Sequence, residues 1–124
     1  MNGEKLMPTT FDRSLLRQGL RGVVVTIPAG WMTIHYLKAG DRVQLELNHL
    51  LRIRAYRGGR GKPNTVVRTI GKKTGQHSYR VAVPPAWLRQ HGLGPGDRVQ
   101  LQVGDELTIS HIPLVRLREE ASDG

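Results

Sequence analysis

Arginine and lysine are the residues through which this chain can do chemistry, and they are bunched. Between Arg57 and Arg80 stand Arg57, Arg60, Lys62, Arg68, Lys72, Lys73 and Arg80, with no acid among them. Between Arg13 and Gly40 stand Arg13, Arg17, Arg21 and Lys38, again without an acid. Cations held in acid-free stretches neutralise a polyanion, and nucleic acid is the commonest one. The region from Gly104 to Gly124 reverses the balance, with five acids against Arg116 and Arg118. A basic body beside an acidic tail implies one face turned toward a polyanion, whereas a uniformly solvated surface would mix the signs.

Other chemistries lack their residues. There is no cysteine, which excludes a disulfide scaffold, a zinc ribbon and a thiol nucleophile. His35, His49, His77, His91 and His111 show no metal-ligand spacing, so no metal is expected. Ser14, Ser78 and Ser110 have no nucleophile context, and no carboxylates sit in acid–base register; neither an enzyme nor a cofactor is expected. The segment Gly58-Gly-Arg-Gly-Lys62 has a superficial phosphate-loop look but ends in Pro63 where Ser or Thr is required, and it reads as a linker.

The elements that position the cations belong to a small domain. The chain has 124 residues, a net charge of +9, a sequence pI near 10.9 and 38% apolar residues. No apolar run reaches the roughly 18–20 residues of a membrane span. The N-terminus, Met1-Asn-Gly-Glu-Lys5, lacks the apolar stretch of a signal peptide, so a cytoplasmic, nucleoid-associated protein is the expectation.

Self-comparison organises the rest. Shifted by 56, residues 10–54 lie on 66–110 without a gap and with 14 identities. Val25, Pro28, Trp31, His35 and Leu37 fall on Val81, Pro84, Trp87, His91 and Leu93, and Gly40-Asp-Arg-Val-Gln-Leu45 repeats as Gly96-Asp-Arg-Val-Gln-Leu101. In each unit a β-branched run, Val23–Ile27 or Tyr79–Val83, reads as a strand stopped by proline. Ala29–Leu37 and Pro85–Leu93 then read as short helices. A Gly-Asp turn follows, leading into the alternating runs Arg42–Leu47 and Arg98–Val103 and a second strand through Leu51 and Ile53 or Leu107 and Ile109. Phe11–Leu16 and Thr65–Ile70 add a strand upstream. Trp31 and Trp87 read as core anchors, and His35 and His91 as structural residues closing the helices. The resulting division is a first repeat at 10–55, a basic Gly-rich linker at 56–64, a second repeat at 65–112 and an acidic tail at 113–124. A unit of 45 residues buries too little surface to be secure alone, so both repeats are expected to build one closed, pseudo-twofold barrel.

The ordered set Thr74-Gly-Gln-His-Ser-Tyr-Arg-Val-Ala-Val-Pro-Pro-Ala-Trp-Leu88, then Gly92-Leu-Gly-Pro-Gly-Asp97 and an alternating strand, resembles the AbrB/SpoVT/MazE family of swapped-hairpin DNA-binding domains. The first repeat is similar through Gly19, Val23–Pro28, Trp31 and Leu37–Leu45. The resemblance implies a mainly β, swapped-hairpin barrel with one short helix per repeat, here as an intramolecular pseudo-dimer, with further self-association open. It also implies that basic arms before the proline-terminated strand meet a DNA duplex. In the family, basic residues stand eleven before the proline, four before it, and four or five after it. Eleven before, this chain has Arg17 and Lys73; four before, Val24 and Arg80; five after, Thr33 and Arg89. Arg13 and Arg21 add charge to the first arm, as Arg68 and Lys72 do to the second. Because a guanidinium fork suits a guanine edge and an ammonium does not, Arg17, Arg21 and Arg80 are the candidates for base contacts, and Lys72 and Lys73 for phosphate. The function this implies is double-stranded DNA binding by a transcriptional regulator or nucleoid-type protein. The alternatives are an antitoxin that also binds a toxin, and an RNA-binding or adaptor protein.

Overall fold

The computed structural model describes residues 9–20, 22–59, 62–72 and 78–111. In chain order they form β1 (Thr9–Ser14), β2 (Leu16–Gln18), β3 (Gly22–Ile27), α1 (Ala29–Ile34), β4 (Arg42–Leu47), β5 (Leu51–Ala55), β6 (Thr65–Thr69), β7 (Gly71–Lys72), β8 (Tyr79–Ala82), α2 (Pro85–His91), β9 (Arg98–Val103) and β10 (Leu107–His111). The fold is mainly β with one short helix in each half, as the residues imply. β4 and β9 coincide with the two alternating runs because burial on one face fixes where Val43, Leu45, Val99 and Leu101 must point; all four are fully buried.

The strands make two antiparallel sheets, one of six in the order β1-β9-β10-β5-β4-β6 and one of four in the order β2-β3-β8-β7. Exchanging each first-half strand with its second-half counterpart (β1 with β6, β2 with β7, β3 with β8, β4 with β9, β5 with β10) reverses both orders and leaves them unchanged. A pseudo-twofold axis therefore runs between paired Val25 and Val81 in the smaller sheet and between paired Arg52 and Thr108 in the larger. The halves are interlocked: β1 pairs with β9, and β6 with β4.

Two expectations need correction. Among the described residues the sheets do not close into one hydrogen-bonded barrel. The chain passes from the larger sheet to the smaller at Leu15 and Ile70, both buried, and these corners bond a turn of the opposite half instead of a strand. Leu15 N–H donates to the Asp97 carbonyl and Gly96 N–H to the Leu15 carbonyl, each at 2.8 Å. Ile70 N–H donates to the Asp41 carbonyl and Gly40 N–H to the Ile70 carbonyl, again at 2.8 Å. The duplicated Gly-Asp pair thus has a structural task. Gly40 and Gly96 take φ of +95° and +91°, the left-handed region that suits glycine, and the Asp41 and Asp97 carboxylates accept the N–H groups of Lys38 and Gly94 at 2.9 and 2.8 Å.

The register of the arms also departs from the ungapped offset of 56. Ser14 stands opposite Arg98 and Thr69 opposite Arg42, so Ser14 and Thr69 are counterparts at an offset of 55. Arg13 answers to Arg68 in the same way. Arg17, opposite Val23, answers to Lys72, opposite Tyr79, and not to Lys73. Only from β3 and β8 onward is the offset 56. The second connection (73–78) is one residue longer than the first (18–22), where Gly22 permits a tighter turn: a Cβ there would lie 2.5 Å from the Gln18 carbonyl oxygen.

The core lies between the sheets and is closed by the helices. Trp31 and Trp87 are fully buried and lie against His35 and His91 in tilted pairs, with ring centroids 4.8 and 4.5 Å apart. Both helices are shorter than the expected spans to Leu37 and Leu93. Pro28 and Pro84 precede them, and each ends where the N–H of Leu37 or Leu93 bonds the carbonyl of Met32 or Leu88, at 2.8 and 2.9 Å. That closure requires a left-handed residue, supplied by Gly92 (φ 64°) in the second half and by Tyr36 (φ 57°) in the first. The segment joining the halves is tied at both ends: Tyr56 N–H donates to the Arg42 carbonyl at 3.1 Å, and Leu47 N–H to the Asn64 carbonyl at 2.7 Å.

Candidate nucleic-acid interface

Charge separates by sheet. The acids of the described residues, Asp12, Asp41, Glu46, Asp97, Asp105 and Glu106, all lie on the six-stranded sheet or its turns. The four-stranded sheet and both helices carry none. In sequence the acid-free run extends from Leu47 to Gly96 without a break. The smaller sheet is thus the side of the molecule on which an approaching anion meets no like charge.

Facing partners on neighbouring strands share a face, so the ladders place each side chain. The inward residues of the smaller sheet include Val23, Val25, Ile27 and Val81. Its outward face carries Leu16 and Gln18 of β2, Val24 and Thr26 of β3, Arg80 and Ala82 of β8, and Gly71 of β7. Arg80 sits near the middle, with Thr26 opposite on one side and Gly71 on the other. Because Gly71 has no side chain, the sheet opens there into a depression of about 380 Å³ lined by Gln18, Val24, Thr69, Gly71, Lys72, Arg80 and Ala82. The counterpart of the Gly71–Arg80 pair is Leu16 opposite Val24, an apolar pair with Val24 buried. The two ends of one face are alike in backbone and unlike in chemistry.

The sequence-derived candidates divide accordingly. Lys72 and Arg80 come together at the depression, and Lys72 extends its ammonium 5.9 Å from the Tyr79 ring centroid. Arg80 is half-buried, and its Nε has no acceptor among the described residues. Arg17 is exposed in the middle of β2 and donates to the carbonyl of Leu20 at 3.1 Å. Arg89 is exposed in the last turn of α2, where a cation also suits the helix end. Arg13 and Arg68 lie half-buried on the edge strands of the larger sheet, opposite core residues Val99 and Val43. Each donates to the preceding carbonyl at 3.1 Å, and Arg13 also covers the Phe11 ring at 4.8 Å. Arg21, Lys73 and the tail at 113–124 fall outside the described residues.

Gln18, Thr69 and Gly71 were missed in the sequence because none is charged. Gly71 becomes visible only once the arms are aligned at an offset of 55, where it replaces Leu16. Among the described residues no group of three or more His, Cys, Asp or Glu could hold a metal ion. No helix there is long and apolar enough to cross a membrane.

No curated protein and no solved structure matches the chain. Residues 72–117, from the end of β7 through β10, match the family model described as "Antidote-toxin recognition MazE, bacterial antitoxin", so the second half of this chain is similar to a MazE-type antitoxin domain.

Proposed function

We propose that the chain is a double-stranded DNA-binding protein, a transcriptional regulator or nucleoid-type factor, that works as a single-chain pseudo-dimer built from a tandem pair of MazE/AbrB-like units at 10–55 and 65–112. The observation that carries this reading is the segregation of every described acid away from the four-stranded sheet, whose outward face holds Arg80 in a depression that Lys72 of the neighbouring strand also lines. Arg17 and Arg89 extend the positive surface, with Arg13 and Arg68 on the adjoining strands, and Arg21 and Lys73 add to the charge of the two arms in sequence. The protein binds without catalysing and acts in the cytoplasm on the nucleoid. Phosphate contacts by such cations release counterions, so log affinity falls by about 0.9 per contact for each unit of log salt. With roughly five to eight contacts, titration of a random duplex against salt gives a slope near −5 to −7. A slope shallower than about −2 overturns the reading.

The family match favours a second reading, an antitoxin that binds a toxin protein as well as DNA. Expression with tagged chain and stoichiometric co-purification of one small partner, with DNA affinity retained, supports it.

A further inference from the structure

We propose that the chain binds its duplex in one fixed orientation, so that its preferred site is non-palindromic although its backbone is pseudo-symmetric. The proposal rests on the DNA-binding reading above. The DNA backbone presents phosphates with approximate twofold symmetry, and the chain meets that symmetry with matched cations. Arg13 answers to Arg68 and Arg17 to Lys72, each pair fixed by strand register. As phosphate contacts, these cations serve either orientation equally well.

The positions able to read a base edge are not matched. Arg80 on the outward face answers to Val24, and Arg89 on α2 answers to Thr33. The space around Arg80 differs as well, since Gly71 leaves the guanidinium room where Leu16 fills the equivalent place over Val24. Arg80 Nε is buried with no acceptor among the described residues, so the guanidinium is not tied to a protein carboxylate there. An arginine fork discriminates between bases, whereas valine and threonine offer at most an apolar contact or one hydroxyl. Turning the chain end for end on an asymmetric site exchanges Arg80 for Val24 and Arg89 for Thr33 at the same base pairs. One orientation therefore outweighs the other by about tenfold or more.

The test uses the full chain. A pool of random duplexes is selected by binding and sequenced, and an enriched motif without dyad symmetry is expected. A palindromic motif, or duplex binding with no enrichment, overturns the proposal; failure to bind any duplex overturns it together with the DNA-binding reading, which separates the two failures. Orientation is then read directly. The chain has no cysteine, so Gly30→Cys and Ala86→Cys, at exposed counterpart positions on α1 and α2, accept a single fluorescent donor. On a selected duplex carrying an acceptor at one end, one labelled chain should show high energy transfer and the other low. Equal transfer from both overturns the proposal. The double variant Arg80→Val with Arg89→Thr gives the second half the residues of the first; it should keep binding and lose the difference, and a variant that stays oriented overturns the assignment to these two residues.

Discussion

Gly22 turns so tightly over Gln18 that a Cβ added to it would lie 2.5 Å from the Gln18 carbonyl oxygen. Its counterpart Ser78 carries a side chain because the connection before it is one residue longer. Gly22→Ala therefore forces the backbone to move and should lower unfolding stability by about 1–3 kcal/mol. Ser78→Ala should stay within about 0.5 kcal/mol of the parent. Denaturant unfolding of the two variants measures both, and equal losses would refute this account of the offset.

The tryptophans are equivalent in burial but not in bonding. Trp87 donates its indole N–H to the Asn48 carbonyl at 3.1 Å, crossing between the halves, whereas Trp31 Nε1 has no acceptor among the described residues. Phenylalanine removes the donor from each. Trp87→Phe should cost about 1 kcal/mol more than Trp31→Phe, because only Trp87 gives up a hydrogen bond and leaves a carbonyl behind. Thermal unfolding of both variants decides it.

Tyr36 holds a left-handed conformation, φ 57°, while 93% exposed. Nothing packed is lost by removing its ring, and glycine is at ease where Gly92 stands in the other half. Tyr36→Gly should raise stability by roughly 0.5–1 kcal/mol, and Gly92→Ala should lower it by a similar amount. A destabilised Tyr36→Gly variant would show that the ring has a hidden structural contact.

Arg80→Ala should weaken duplex binding by about 1–3 kcal/mol if its fork reads a base edge, with little change in unfolding temperature. Val24→Ala, at the counterpart position, should lower stability by about 1 kcal/mol through lost burial and leave DNA affinity nearly unchanged. Affinity and melting are measured for both at one salt concentration. Equal, small losses of affinity would remove Arg80 from recognition.

Cleavage of the chain near Gly59 should leave halves that are not folded monomers, because β1 pairs with β9 and β6 with β4. Mixing the halves should restore the dichroism of the intact protein in a complex of its mass. A half that is monomeric and cooperatively folded would overturn the interlocked arrangement.

Much of this was legible in the residues. The strands β3, β4, β8 and β9 followed from β-branched runs and strict alternation, which are local signals of burial on one face. Trp31 and Trp87 were readable as core because they repeat at equivalent positions in the short helices and six aromatics are too few for a base-stacking platform. The arms were less legible, since their register is set by partners in the other half: Arg13 lies opposite Val99, and Arg68 opposite Val43. An ungapped comparison had no local reason to slip by one there. The open corners at Leu15 and Ile70 escaped notice because hydrogen bonds to a distant Gly-Asp turn leave no periodic trace. At the site, the charge of Arg80 within an apolar strand stood out, but the depression depends on Gly71 facing it across a ladder.

The interlocking of the edge strands also governs when the protein can fold. The pairing of Thr9 with Val103 joins nearly the two ends of the described chain. Such long-range closure slows folding relative to a string of local hairpins. During synthesis the amino-terminal half waits, its apolar strand faces uncovered, until β9 has left the ribosome. In that interval a neighbouring unfinished chain can supply the missing strands. Covalent linkage of the halves raises their mutual effective concentration, so that self-closure outpaces capture by a neighbour.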